Sequence, residues 1–238
     1  MESVILTVVQ PDETVPLDRF GPWLGETSLR WVRPWAGDPL PDVSEVGAGL
    51  LVLGGRTNAY DDERTPFLPA LRGLLADAVE RDVPVLGICL GHQLLAAATG
   101  GRVEVGAAPG PERGVVPIAW HPEAVADPVL GRAAADGPAL VPSMHADAVV
   151  ELPPGATALA GSELYPVQAM RVGSAVGVQF HPEASPELIG AWASKRPGTD
   201  AAALVDAARR WDAQVSAAGR AIAEGFAAHL RTVPTAGG

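Results

Sequence analysis

The chain of 238 residues contains a single cysteine, Cys89, set in the pentapeptide Gly87-Ile88-Cys89-Leu90-Gly91. A lone cysteine can be a small buried hydrophobe. It can also be a nucleophile, and the pentapeptide favours that reading. Its glycines let the chain turn sharply where a strand gives way to a helix, which exposes the side chain beyond the strand's carboxyl end. The free N–H groups at the start of the following helix, with the helix dipole, favour a thiolate and a developing oxyanion. Some α/β-hydrolases also carry cysteine in such a turn, so the pentapeptide alone names no reaction.

A thiol nucleophile needs a base. The chain has five histidines: His92, His121, His145, His181 and His229. His92 stands about one helical turn past Cys89 and can line a pocket there, though it points along the helix rather than at the thiol. His121 and His181 each open a His-Pro-Glu triplet, within the near-duplicates VVPIAWHPEAV (115–125) and AVGVQFHPEAS (175–185). Proline stiffens the triplet and removes a backbone donor. The glutamate two residues on can reach back to the imidazole, fix its tautomer and stabilise imidazolium. Spacing alone leaves both copies open.

The elements that must hold these groups follow from apolar patterning. Val4–Val9, Ser28–Val32, Gly49–Leu53 and Val83–Ile88 read as strands. A helix is expected from Thr65 as N-cap and Pro66 at its first position, with Phe67, Leu68, Leu71, Leu74, Leu75, Ala78 and Val79 at helical spacing. Leu90–Thr99 forms the next helix, stopped by Gly100 and Gly101. Apolar strands alternating with helices indicate a parallel α/β sheet. Residues 101–180 hold shorter strand candidates at 101–106, 113–120, 147–151, 165–171 and 175–180, partly antiparallel. Ser185 caps a further helix, and 200–231 form an amphipathic helix or helix pair with Leu204, Val205, Ala208, Trp211, Val215, Ala218, Ile222 and Phe226 in its stripe. The expected fold is α/β: an open, mostly parallel, flavodoxin-like sheet flanked by helices. One domain spans 1–238, with 186–232 as its helical C-terminal extension.

Composition removes several function classes. The net charge of −11 argues against general affinity for nucleic acid or an anionic membrane surface, and the 17 basic residues are scattered, with one lysine, Lys195. No apolar run reaches the roughly 18 residues of a spanning helix. The start, MESVILTVVQPDE, lacks the basic flank of a signal peptide. A single cysteine forms no internal disulfide, so a cytoplasmic setting is expected. No Cys/His cluster has zinc spacing.

PVLGICLGHQLLA followed by GVQFHPEAS resembles the class I, triad-type glutamine amidotransferases. LLVLGGRTNAYDDE (50–63) is similar to that family's Gly-Gly oxyanion segment, and SMHADAVVELPPGATALAGS (143–162) to its Ser-His segment. Within the family the chain resembles stand-alone proteins similar to the glutaminase domain of GMP synthase, some of which are γ-glutamyl peptidases.

The resemblance implies Cys89 as nucleophile, His181 rather than His121 as general base and acid, and Glu183 as its orienting carboxylate. It implies an oxyanion hole from the backbone N–H groups of Gly55 and Leu90. Gly54, Gln93 and His145 border the glutamine or γ-glutamyl substrate. No metal or cofactor is required. One departure is Arg56, where the family often has proline; it adds a backbone donor and a cation that can meet a substrate carboxylate or stay solvated.

The resulting expectation is hydrolysis of a γ-glutamyl amide through a thioester. Alternatives are a glutaminase subunit feeding ammonia to a separate synthase chain, a non-catalytic binding module, and a Cys-elbow α/β-hydrolase. The last orders its triad nucleophile, acid, histidine, unlike this chain.

Overall fold

The structure, a computed structural model, describes residues 4–232. β1 (Ile5–Val9) leads through the short helix α1 (Phe20–Trp23) to β2 (Ser28–Val32) and β3 (Gly49–Val52). Then come α2 (Leu68–Glu80), β4 (Val85–Ile88) and α3 (Leu90–Ala98). A strand-rich stretch follows: β5 (Arg102–Glu104), β6 (Glu112–Trp120), the short α4 (Gly131–Ala135), β7 (Ala139–His145), β8 (Ala148–Glu151), β9 (Thr157–Gly161), β10 (Ala169–Val172) and β11 (Ala175–Val178). The helices α5 (Pro186–Ala193), α6 (Ala201–Arg210) and α7 (Asp212–Leu230) close the described chain.

Nine strands form one sheet in the order β2-β1-β3-β4-β11-β10-β9-β6-β7, and β5 pairs with β8 separately. The first five pair in parallel and the remaining joins are antiparallel, so only β10 and β6 run against the common direction. The mostly parallel α/β sheet expected from the sequence is the sheet observed.

The apolar strands are explained by cover on both faces. In β3, Leu50 and Val52 pack with Leu68, Leu71 and Leu75 of α2 and Leu94 of α3. Leu51, between them, faces the opposite layer with Phe20 of α1 and Ile222 and Phe226 of α7. The expected helix pair at 200–231 is present, divided at Trp211. Trp211 itself leaves the apolar stripe: it is exposed, with the Arg210 guanidinium 5.4 Å from its ring. The helix expected from Thr65 starts later, at Leu68. The Thr65 side chain bonds Thr57 instead of capping it, and Pro69 is the proline of its first turn. Two strands not read from the sequence, β7 and β9, lie in the antiparallel half, where Pro142 and Gly161 interrupt the usual pattern.

The helix α7 belongs to the main core rather than trailing from it. Phe226 is fully buried there, among Leu6, Val8 and Val178. Phe226→Ala is expected to cost about 3–5 kcal/mol, read as a lower urea midpoint. A midpoint within error of the parent would show α7 to be dispensable to the core. Among the described residues no helix is long and apolar enough to cross a membrane.

Candidate active site

The strands β3, β4 and β11 are neighbours in parallel, with Gly87 of β4 opposite both Val52 and Gly177. The residues just past their ends therefore gather at the sheet's carboxyl edge, where open α/β sheets hold ligands. These are Gly54 and Gly55 after β3, Cys89 after β4, and Gln179 to Glu183 after β11.

Cys89 takes φ 52° and ψ −102°, a conformation costly for any residue but glycine. Its N–H donates to the Val178 carbonyl at 2.8 Å and its carbonyl accepts from the Gln93 N–H at 3.0 Å, so the turn is held from both sides. Gly91 lies against the Val52 carbonyl so closely that a Cβ would overlap it. That contact is why the residue two beyond the cysteine has no side chain.

The imidazole of His181 and the Cys89 side chain meet over Gly54, where a Cβ would lie 2.9 Å from His181 Cε1 and 3.5 Å from Cys89 Cβ, and His181 Nδ1 lies 2.7 Å from Glu183 Oε1. His181 is buried and Glu183 fully so. The second carboxylate oxygen of Glu183 has no hydrogen-bond partner among the described residues. Burial lowers the His181 pKa, but the charges of Glu183 and Cys89 and the hydrogen bond to Glu183 outweigh it, and the pKa is pushed up to about 10. The Trp192 ring packs against this imidazole at 4.6 Å, and its Nε1 donates to the Thr14 carbonyl at 2.8 Å.

A cleft of about 300 Å³ opens over the thiol, lined by Gly55, Arg56, Cys89, Met144, His181 and Trp192 among others. Leu90 opens α3, so its N–H has no acceptor within the helix. The Gly55 N–H makes no hydrogen bond among the described residues. The two loops touch: a Cβ on Gly55 would lie 2.7 Å from Leu90 Cδ2.

Arg56 is engaged within the fold. Its Nε and Nη2 donate to Asp12 at 2.7 and 3.2 Å, and its backbone N–H, which a proline would lack, donates to Asp12 Oδ2 at 3.1 Å. Burial raises the Asp12 pKa, but hydrogen bonds from Arg56 and Thr14 hold it below the usual carboxylate value. Asp12 thus ties the Gly54–Arg56 loop to the loop after β1.

The remaining residues singled out from the sequence lie behind this cleft or far from it. Gln93 is buried and donates to Gln179 Oε1 at 3.1 Å and to the Asp147 carbonyl at 3.0 Å. His145 has both ring nitrogens engaged, one 3.2 Å from Glu112 Oε2 and the other 3.0 Å from the Asp147 carbonyl. Its neighbour Met144 reaches the cleft instead. His92 does not line a pocket. It is fully buried against Gly177, and burial and then the nearby His145 lower its pKa to about 3, so it is neutral. His121 lies past β6, which β11, β10 and β9 separate from β4, and its Nδ1 meets the Ala158 carbonyl at 3.1 Å.

Two residues near the thiol escaped the sequence reading. Gln179 Nε2 approaches Cys89 Sγ at 3.7 Å. Its signal was present, since a residue two before His181 on an extended segment shares its face. Trp192 had none, because seven helical positions after Ser185 give no indication of which neighbour its ring will meet.

The family model for glutamine amidotransferase class-I matches residues 39–193. A glutamine-hydrolysing GMP synthase subunit of Halobacterium salinarum is 42% identical over 137 residues, 57% of this chain and 66% of that protein. The corresponding subunit of Natronomonas pharaonis is 39% identical over 141 residues, 58% of this chain and 68% of its own length. The chain thus spans about two thirds of these relatives. It spans 26% of the longer GMP synthase of Nitrosomonas eutropha, at 37% identity over 146 residues. Among solved structures, a glutamine amidotransferase from Methylobacillus flagellatus superposes with TM-score 0.83 and 27% identity over 100% of this chain and 98% of the other. One from Thermotoga maritima gives TM-score 0.82 and 25% identity over 95% and 99%.

Proposed function

The chain belongs to the class-I glutamine amidotransferase family, and from that premise we propose that it hydrolyses the γ-amide of glutamine or of a γ-glutamyl compound through a Cys89–His181–Glu183 triad. The observation that carries this reading is the thiol, imidazole and carboxylate gathered at the ends of the adjacent strands β4 and β11, with the imidazole held by the buried carboxylate.

In this reaction the Cys89 sulfur attacks the γ-carbonyl carbon, and the carbonyl electrons move onto oxygen. The N–H groups of Leu90 and Gly55 stabilise that oxyanion. The C–N bond breaks as His181 gives its proton to the leaving nitrogen, which departs as ammonia or amine. A γ-glutamyl thioester remains. Water then attacks it, losing its proton to His181, and glutamate leaves with the thiolate restored. Glu183 holds the tautomer that presents the other ring nitrogen to these transfers. Gln93 acts through Gln179, which it holds against the sulfur. Gly54 is required by space: a Cβ there would lie 2.9 Å from His181 Cε1 and 3.5 Å from Cys89 Cβ. Gly54→Ala is expected to lower kcat by about 10²-fold through a displaced imidazole, with little change in urea midpoint. An unaltered kcat would mean that the imidazole tolerates the shift.

The test is glutamate release by the purified chain from glutamine and from γ-glutamyl amides, together with covalent labelling of Cys89 by a glutamine-like electrophile. Release and labelling support the reading; the absence of both would overturn it. A second reading, a glutaminase that supplies ammonia to a separate synthase chain, is favoured by the relatives from Halobacterium salinarum and Natronomonas pharaonis, both of which are named as subunits. It predicts weak release alone and a large rise when that synthase is added.

A further inference from the structure

The cleft carries cations that nothing in the proposed reaction uses. Arg56, Lys195 and Arg196 line it, and no carboxylate does, in a chain where acidic residues outnumber basic ones 28 to 17. Arg56 is neutralised by Asp12. Lys195 is exposed and Arg196 half-buried, and neither side chain has a hydrogen bond or ion pair among the described residues.

Their position is built by the turn between α5 and α6. The Arg196 N–H donates to the Ala193 carbonyl at 3.1 Å, and the Thr199 N–H to the Arg196 carbonyl at 3.3 Å. Arg113 Nη1 on β6 donates to Thr199 Oγ1 at 3.2 Å and brings a further cation alongside. Burial, then the charge of Arg113, lowers the Arg196 pKa, against a smaller opposing pull from Cys89. An anion in the cleft would relieve that cost. Both cleft cations lie just beyond residue 193, where the family match ends.

Charge balance indicates what kind of anion. The thiol–imidazole pair is neutral in sum wherever its proton sits, and Glu183 adds one negative charge. Lys195 and Arg196 add two positive charges, leaving an excess of one among these groups, to which Arg113 alongside adds. Glutamine is a zwitterion and brings no net charge. A γ-glutamyl amide whose amine carries a carboxylate brings one negative charge and reduces that excess.

Resting on the hydrolase reading above, we propose that Lys195 and Arg196 form a subsite for a carboxylate on the leaving amine, so that the preferred substrates are γ-glutamyl amides of amino acids rather than glutamine. An exposed or half-exposed charge-assisted hydrogen bond to a carboxylate corresponds to a selectivity of about 10-fold or more.

The experiment measures glutamate release by the purified chain from γ-glutamylglycine, γ-glutamylmethylamide and glutamine. The kcat/KM for γ-glutamylglycine is expected to exceed those of the other two by about 10-fold. In Arg196→Gln and Lys195→Gln the ratio of γ-glutamylglycine to γ-glutamylmethylamide is expected to fall toward one. A wild-type ratio near one, or a preference for glutamine, overturns the proposal. So does a ratio unchanged in both variants while KM rises for all three substrates, because the cations would then bind the α-carboxylate that every γ-glutamyl substrate shares. If none of the three is hydrolysed and Cys89 resists a glutamine-like electrophile, the hydrolase reading fails and this subsite fails with it. Turnover without selectivity removes the subsite alone.

Discussion

Cys89→Ala is expected to lower glutamate release by about 10⁴-fold or more, because no other group in the cleft can form the thioester. The imidazole and the oxyanion donors would remain, so binding of a γ-glutamyl substrate should survive the loss of turnover. The backbone provides a second readout. Cys89 sits at φ 52° and ψ −102°, where a Cβ is strained and glycine is not. Cys89→Gly is therefore expected to be more stable than Cys89→Ala by about 1 kcal/mol in urea unfolding, the reverse of their order inside a helix. Both variants should be inactive. Residual activity of Cys89→Ala near that of the parent would remove the thiol from the mechanism. Equal stabilities of the two variants would remove the strain.

His181 and Glu183 should fail in different ways. His181→Gln removes the proton carrier and is expected to cost about 10³–10⁴-fold in kcat. Glu183→Gln keeps the shape but places an amide beside His181 Nδ1, and its buried NH₂ would stand where Glu183 Oε2 has no partner. A loss of about 10²–10⁴-fold is expected there, along with lower stability from an unsatisfied buried donor. The pH dependence of stability separates the two roles. The folded pKa of His181, about 10, lies above that of an unfolded histidine, about 6.5. Its contribution to stability is thus full below about pH 6.5 and is lost as pH rises toward 10, at no more than about 1.4 kcal/mol per pH unit. Urea midpoints of the parent should fall across that window, and those of His181→Gln should stay flatter. Parallel curves would assign the slope to other groups.

Local chemistry was legible along the chain. The apolar runs at Ile5–Val9, Gly49–Val52 and Val85–Ile88 became buried parallel strands, because each must satisfy two apolar faces. Ser185 and Pro186 opened α5 as their types require, with Ser185 Oγ accepting from the Leu188 N–H at 3.2 Å. The start of α2 shifted from Thr65 to Leu68 because propensity fixes boundaries less firmly than faces. The strands β7 and β9 stayed hidden because an antiparallel strand inside a mixed sheet takes its pattern from partners far along the chain. The engagement of Arg56 with Asp12, 44 positions apart, was hidden for the same reason.

The two His-Pro-Glu copies show where the division falls. The sequence by itself determined that each triplet follows a strand, and that Cys89 stands in a sharp turn between strand and helix. Those are properties of a few consecutive φ/ψ angles and side chains. Which histidine meets the thiol was decided only by strand order. The register of β11 on β4 sets Val178 opposite Ile88, and so brings the segment carrying His181 beside Cys89. The strand β6 carries the other copy three strands away. Pairing across some 90 residues is a global packing outcome, set by which apolar faces can be covered together, and no local spacing encodes it.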